Sequence, residues 1–382
     1  MENKITQLIS SIRKQFDTSE FIPLHAPQFW GKEKEYLLDT IDSTFVSSVG
    51  AYVDRVEEQM IQLTKASKAT AVVNGTAGLQ VGLRIAGVRA GEEVLTQALT
   101  FVATANAIAY NNASPVFLDV DKDTMGLSPL ALHVFLEEFA ELREGGCYNK
   151  KTNKRIAACM PMHTFGFMCR IDEIVSLCTA WGIPVVEDAA EALGSKYKQQ
   201  SAGTFGQSGV FSFNGNKIIT CGGGGIIVSK DPQYALKAKY LTTTAKVSHK
   251  WEYVHDELGY NFRMPNLNAA LLSAQLEKFE QYKEAKKVLF TEYLALFDNN
   301  EIELVPIPEG TDWNYWLMSV ALADKQERDE FLRETNENGV MTRPIWKLMY
   351  RLPMYKDCQR DAQTNAEYLE ERIINIPSSA RK

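Results

Sequence analysis

An α/β fold, with a mostly parallel central sheet and a smaller C-terminal α+β domain, is predicted by three observations. First, the strand-like run Glu93 to Gln97, a helix from about Phe101 to Tyr110 and the strand-like run Pro115 to Val120 carry the strand–helix–strand rhythm of a parallel sheet. Second, further short apolar runs recur, several of them followed by helical patterns, at Ala69 to Val73, Ile156 to Met162, Ile183 to Glu187, Gly209 to Phe213 and Ile226 to Val228. Third, the order becomes mixed beyond about residue 250. A long helical pattern is followed by a strand, a helix, a proline-containing stretch and a last helix. The division expected is a large domain over residues 1–250, with a helical lead-in, and residues 251–382 for the linking helix and a small domain. With 382 residues, 45% of them hydrophobic, the chain has enough apolar surface for either one large core or two domains.

Composition narrows the function. No apolar run approaches the roughly 18 residues of a membrane span, and Met1 to Thr6 lacks the apolar core of a signal peptide. A cytoplasmic protein is expected. The six cysteines at 147, 159, 169, 178, 221 and 358 include no Cys-x-x-Cys pair, which favours reduced thiols over a disulfide framework. Cys159, His163 and Cys169 match no common zinc spacing, so no metal is expected. A net charge of −7 argues against a nucleic-acid binder. It leaves room for a small anion, because local backbone donors can hold a phosphate on an acidic protein.

Taken in order, residues 1–20 read as one amphipathic helix and Phe21 to Trp30 as an irregular apolar stretch. Helices follow over Lys32 to Ser43 and Tyr52 to Leu63, separated by the small, polar loop Thr44 to Gly50. After the strand Ala69 to Val73, Asn74-Gly75-Thr76-Ala77 opens a helix. Free N–H groups and the helix dipole there form an anion site; the same residues also suit a hairpin turn with Thr76 as a cap. Phe101 stands where a strand gives way to a helix, as core or as a ring that stacks on a ligand. Residues 121–155 read as polar, ending in an exposed loop at Glu144 to Lys151. Asp188 terminates a buried strand, at the carboxyl end where open α/β sheets bind ligands. A long amphipathic helix runs from Pro265 to about Phe297. The small domain reads as a strand at Leu317 to Ala323, a helix at Gln326 to Asn338 and a last helix near Ala366 to Arg372.

One stretch organises the chain. In Phe211 to Val228 a single lysine, Lys217, lies between two strands, with Gly222 to Gly225 just after it. Partial desolvation there would lower the amine pKa and improve it as a nucleophile toward an aldehyde. The alternative is a hairpin carrying a snorkelling surface lysine.

Five segments together resemble the DegT-type nucleotide-sugar aminotransferases, enzymes of pyridoxal phosphate (PLP) fold type I. They are Asn74 to Ala77, Thr100 to Asn106, Val186 to Ala192, Ser212-Phe213 with Lys217, and Gly259 to Met264. The resemblance spans about Phe21 to Ser379. It implies that Lys217 is the Schiff-base lysine and that Asp188 pairs with the pyridine nitrogen. It further implies that Gly75, Thr76 and Ser212 cradle the phosphate, that Phe101 stacks on the ring, and that Glu191 contacts the ring hydroxyl. Asn261 would reach the phosphate from the other subunit of an obligate homodimer with shared sites. Relatives often carry a histidine two residues after the serine and Gly-Glu-Gly-Gly after the lysine; this chain has Asn214 and Gly222-Gly223-Gly224-Gly225. With Asp42 to Gly50, that pattern is similar to a narrower group that aminates UDP-4-keto-6-deoxy-N-acetylhexosamines in bacillosamine- or legionaminic acid-type pathways. The expectation is a ping-pong transfer from glutamate, through the pyridoxamine form, to the C4 ketone of a nucleotide-linked sugar. Ser48, His163 and Arg263 are candidate substrate contacts. The alternatives are an aminotransferase for another 3- or 4-keto sugar, GDP- or dTDP-linked, and a non-catalytic nucleotide-binding regulator. Related sugar 3-dehydratases carry histidine in place of the lysine, so Lys217 argues against them.

Overall fold

The tertiary structure is a computed structural model that describes residues 2–298 and 302–382. Helices α1 (Glu2–Gln15), α2 (Glu33–Asp42) and α3 (Ala51–Thr64) lead into strand β1 (Lys68–Val72). Next come α4 (Gly75–Ile85), β2 (Glu93–Gln97), α5 (Val102–Tyr110), β3 (Ser114–Leu118) and α6 (Pro129–Phe139). Then follow β4 (Ile156–Cys159), α7 (Ile171–Ala180), β5 (Val186–Asp188), β6 (Ser208–Ser212), β7 (Gly225–Ser229) and α8 (Pro232–Thr242).

These seven strands run in the spatial order β1-β7-β6-β5-β4-β2-β3. β7 is antiparallel to both neighbours, while β6–β5, β4–β2 and β2–β3 pair in parallel. The junction of β5 and β4 is made by the parallel bridges Cys159 to Val185 and Met162 to Asp188. β2 is buried along its whole length and β1 at all but its first residue, as a sheet covered on both faces requires. Small residues bring α4 onto this sheet: a Cβ on Gly78 would lie 2.6 Å from Val210 Cγ1.

The rest of the chain is α9 (Asn266–Glu277), α10 (Phe279–Phe297), β8 (Glu303–Leu304), β9 (Ser319–Ala321), α11 (Lys325–Glu337), β10 (Arg343–Pro344), α12 (Thr364–Glu370) and β11 (Ile373–Asn375). These four strands form an antiparallel sheet in the order β8-β9-β11-β10.

Three readings of the sequence are corrected. Residues 121–155 contain α6, whose Leu132, Phe135 and Leu136 are buried, and Glu144 to Lys151 lies mostly in a hairpin pairing Ala140–Arg143 with Gly146–Asn149. Gly145 and Gly146 hold φ of 93° and 134° at its turn, a conformation open to residues without a Cβ. The single helix expected from Pro265 to Phe297 is two, broken at Lys278 (φ −108°, ψ 4°). The break seats buried Phe279 against Gly194, where any Cβ would come within 2.3 Å of the ring. A last strand, β11, follows α12 directly, because Ile373 and Ile374 complete the second core sheet.

Candidate functional site

The carboxyl ends of the central strands place Asp188 and Glu191 beside Lys217. Asp188 ends β5, and Glu191 follows one turn later. Lys217 lies in the loop after β6, where its N–H bonds the Asn214 carbonyl at 3.0 Å. Lys217 Nζ is 3.2 Å from Glu191 Oε1 and 4.3 Å from the centroid of the Trp316 ring. Its side chain is only 11% exposed.

Asp188 is 2% exposed. Its Oδ2 accepts from Thr104 Oγ1 at 2.7 Å and its Oδ1 from the Ala190 N–H at 3.2 Å. Burial raises its pKa; the bonds from Thr104 and Ala190, with the charges of Lys217 and His163, oppose the rise. Glu191 is 4% exposed, and its Oε2 accepts the Phe165 N–H at 2.9 Å. Burial pushes its pKa up to about 7 against the pull of Lys217.

A cradle lies at the start of α4. Asn74 is the helix cap, taking the Ala77 N–H on its side chain, so Thr76 stands inside the first turn and is not the cap. The first-turn N–H groups of Gly75 and Thr76 have no partner within the helix. Ser212 closes the other side: a Cβ on Gly75 would be 2.9 Å from the Ser212 Cβ. Gly225 is equally tight, since a Cβ there would come 2.6 Å from the Asn74 carbonyl oxygen. Phe101 leads into α5 and is 49% exposed, edge-on to Trp346 at 6.4 Å.

The side chains of the other candidates have partners or positions outside this group, although the His163 N–H bonds the Asp188 carbonyl at 3.1 Å. The Arg263 guanidinium is committed to Glu57 Oε1 at 2.8 Å and the Ala71 carbonyl at 2.9 Å. His163 is fully buried, and its Nε2 is 3.1 Å from Glu187 Oε2, on the strand face opposite Asp188. Cys169 and Glu187 outweigh the opposing effect of burial and push its pKa up to about 10. Ser48 is half-buried in the loop between α2 and α3. Asn261 is exposed, and its backbone bridges to Thr243.

Two residues near the lysine escaped the sequence reading. Thr104 lay inside the Thr100 to Asn106 segment, three positions after Phe101, a spacing that puts both on one helical turn. Trp316 carried no local signal, because it reaches Lys217 from a distant part of the chain. Among the described residues no cluster of three or more His, Cys, Asp or Glu is placed to hold a metal. All six cysteines are free, and no helix among the described residues is long and apolar enough to cross a membrane.

This mixed seven-stranded sheet, with its covering helices, is the architecture of PLP fold type I. The chain belongs to the DegT/DnrJ/EryC1/StrS aminotransferase family, which it matches over residues 28–381. It is 36% identical over 364 residues to EpsN of Bacillus subtilis (strain 168), covering 94% of this chain and 91% of that protein. It is 35% identical to the GDP-perosamine synthase of Escherichia coli O157:H7, covering 94% and 93%. The crystal structure of the aminotransferase TlmJ from Streptoalloteichus hindustanus superposes with a TM-score of 0.84 at 24% identity, covering 94% and 93%.

Proposed function

We propose that the chain is a nucleotide-sugar aminotransferase. It moves the amino group of glutamate to the C4 ketone of a 4-keto-6-deoxy sugar, UDP-2-acetamido-4-keto-2,6-dideoxyhexose, and gives the 4-amino sugar. The carrying observation is the Lys217 amine, nearly buried, 3.2 Å from Glu191 and close enough to Asp188 for its charge to act on that carboxyl. The UDP-linked, N-acetylated substrate of bacillosamine- or legionaminic acid-type pathways rests on Asp42 to Gly50 and Asn214 to Lys217. A second reading, a GDP-linked 4-keto-6-deoxy sugar, is favoured by the 35% identity to a GDP-perosamine synthase.

The residues fit PLP. The space between Gly75 and Ser212, which a Cβ would fill, faces unpaired helix N–H groups and suits a phosphate. Asp188, sequestered and hydrogen-bonded, suits a pyridinium, and the half-exposed Phe101 suits a ring face. When bound, the cofactor supplies an electron sink for the carbanion formed at the donor α-carbon. Lys217 would hold its aldehyde and afterwards carry the proton taken from that carbon on Nζ. Asp188 would keep the ring nitrogen protonated, with Thr104 fixing the carboxylate's direction. Glu191, with a pKa of about 7, would hold or release a proton beside Nζ.

In this reading residues 1–250 form the cofactor-binding domain and residues 251–382 the linking helix and the small domain. The enzyme works in the cytoplasm as a homodimer, with Asn261 of one protomer reaching the partner's phosphate site. The test is an absorbance spectrum of purified protein before and after borohydride. A visible band lost on reduction, with label on the peptide containing Lys217, supports the reading. Glutamate with UDP- and GDP-linked 4-keto sugars then separates the two substrates. No band after added PLP would sink the proposal and favour a non-catalytic nucleotide-binding protein.

A further inference from the structure

Trp346 lies in a stretch without regular secondary structure, yet its backbone is fixed on both sides. The Ile345 N–H donates to the Ile373 carbonyl at 3.0 Å, and the Leu348 N–H to Glu370 Oε1 at 3.0 Å. The Met349 N–H donates to the Ala98 carbonyl at 3.0 Å, just past the carboxyl end of β2 and three residues before Phe101. Ile345 and Leu348 are buried, whereas Trp346 between them is left half-buried.

Its ring belongs to a line of aromatics that runs to the lysine amine. Between ring centroids, Trp346 is 6.4 Å from Phe101 and 4.9 Å from Phe165. Phe165 is 6.4 Å from Trp316, whose ring centroid lies 4.3 Å from Lys217 Nζ. Phe165 is the fixed point of this line. Its N–H donates to Glu191 Oε2, and its carbonyl accepts from Trp313 Nε1 at 2.9 Å. These bonds hold a fully buried ring at φ 56°, a left-handed conformation uncommon for a bulky residue.

Phe165 and Trp316 are buried, and Phe101 is assigned above to the cofactor ring. Trp346 is the accessible ring that remains. The indole N–H groups of Trp313 and Trp316 donate to the Phe165 and Asn216 carbonyls, whereas that of Trp346 has no acceptor among the described residues. An apolar face with a free N–H at its edge suits a carbohydrate, which offers C–H groups and hydroxyls together. The reacting carbon of the substrate has to lie at the amine. In a 4-keto-6-deoxy sugar the two neighbours of that carbon differ: C3 carries a hydroxyl group, and C5 carries the C6 methyl group. An aromatic wall that starts at Lys217 accommodates the methyl side.

We propose that Trp346 is a specificity-determining residue whose indole face packs against C5 and the C6 methyl group of the sugar presented to Lys217. The assignment rests on the nucleotide-sugar reading above and deepens it. It names the residue that distinguishes a 6-deoxy sugar from its 6-hydroxy counterpart.

The test compares holoenzyme of the wild type with Trp346→Ala and Trp346→Phe. Calorimetric titrations use UDP-N-acetylglucosamine and its 6-deoxy form, with GDP-mannose and its 6-deoxy form as the second pair. None of the four is a ketone, so binding is read without turnover. The affinity ratio within each pair is taken for one protein at a time, so general damage to the site cancels. The wild type should bind the 6-deoxy member about fourfold or more tightly, the worth of burying one methyl group. In W346A the ratio should fall to within about 1.5-fold of unity, and W346F, which keeps an aromatic face, should retain most of it. A wild-type ratio of one, a ratio unchanged in W346A, or a W346F as indifferent as W346A overturns the assignment. A wild type whose spectrum responds to glutamate but which binds neither pair also overturns it and leaves a transaminase standing. A wild type inert to glutamate removes the functional reading and this assignment with it.

Discussion

Glu191 divides its carboxylate between a catalytic candidate and the backbone: Oε1 meets Lys217 Nζ at 3.2 Å, while Oε2 takes the Phe165 N–H at 2.9 Å. The second bond directs the first. With Trp316 on another side of the amine, the lysine is held at the carboxyl ends of β5 and β6 and kept from solvent.

Lys217→Ala removes the only amine in this group. Turnover should fall by several orders of magnitude, and borohydride should no longer attach label to the peptide. Normal activity in this variant would refute the assignment of Lys217.

The pH dependence of stability should carry the mark of Glu191. Its pKa rises from 4.5 to about 7 on folding because burial penalises the charged form. The folded state then binds a proton that the unfolded chain has released. This contribution is full below about pH 4.5 and is lost as pH climbs through about 7, with as much as about 3 kcal/mol at stake. Glu191→Gln should flatten this part of the profile and raise the melting temperature at pH 8 in cofactor-free protein. A Tm-versus-pH curve parallel to wild type would count against it.

Thr104→Val keeps the shape of the side chain and deletes its 2.7 Å bond to Asp188. Hydrogen bonds to a carboxylate contribute about 2 kcal/mol, so chemical denaturation should show a loss of that order. The pKa of Asp188 should rise further, and affinity for PLP should weaken. Unchanged stability and unchanged affinity together would show that Thr104 does not set the carboxylate.

Gly75→Ala places a methyl group 2.9 Å from the Ser212 Cβ. Overpacking of this kind costs about 1–3 kcal/mol. Binding of inorganic phosphate or PLP should weaken more than the melting temperature falls. Normal phosphate binding would move the anion site elsewhere.

Gln275→Leu tests the link between the lysine loop and the N-terminal segment. Gln275 takes the Thr220 N–H at 3.3 Å and donates to the Gln28 carbonyl, Glu33 and Tyr282. Leucine fills the same volume but strands these buried partners. A loss of about 2 kcal/mol or more is expected by urea unfolding. A neutral result would mean that water replaces the amide.

Much of this molecule could be read in one dimension. The alternation of apolar runs with helical periods announced the sheet, and Lys217, Asp188 and Gly75 stood out because glycine and strand-end signals are local. The hairpin at residues 140–149 was hidden by its polar, exposed face. The break at Lys278 left no mark, since the amphipathic pattern runs through it and the cause, Phe279 against Gly194, is a contact between distant segments.

By itself, the order of residues determined the fold class, the strand ends that carry the candidate site and the lysine at its centre, because these follow from periodicity and from turn chemistry within a few positions. The tertiary structure decided which polar residues share a space. It set Arg263 against Glu57 and His163 against Glu187, and brought Trp316 beside Lys217. The physical reason is range: backbone preference acts over a handful of residues, whereas charge, burial and hydrogen bonding act through space between segments that only folding brings together.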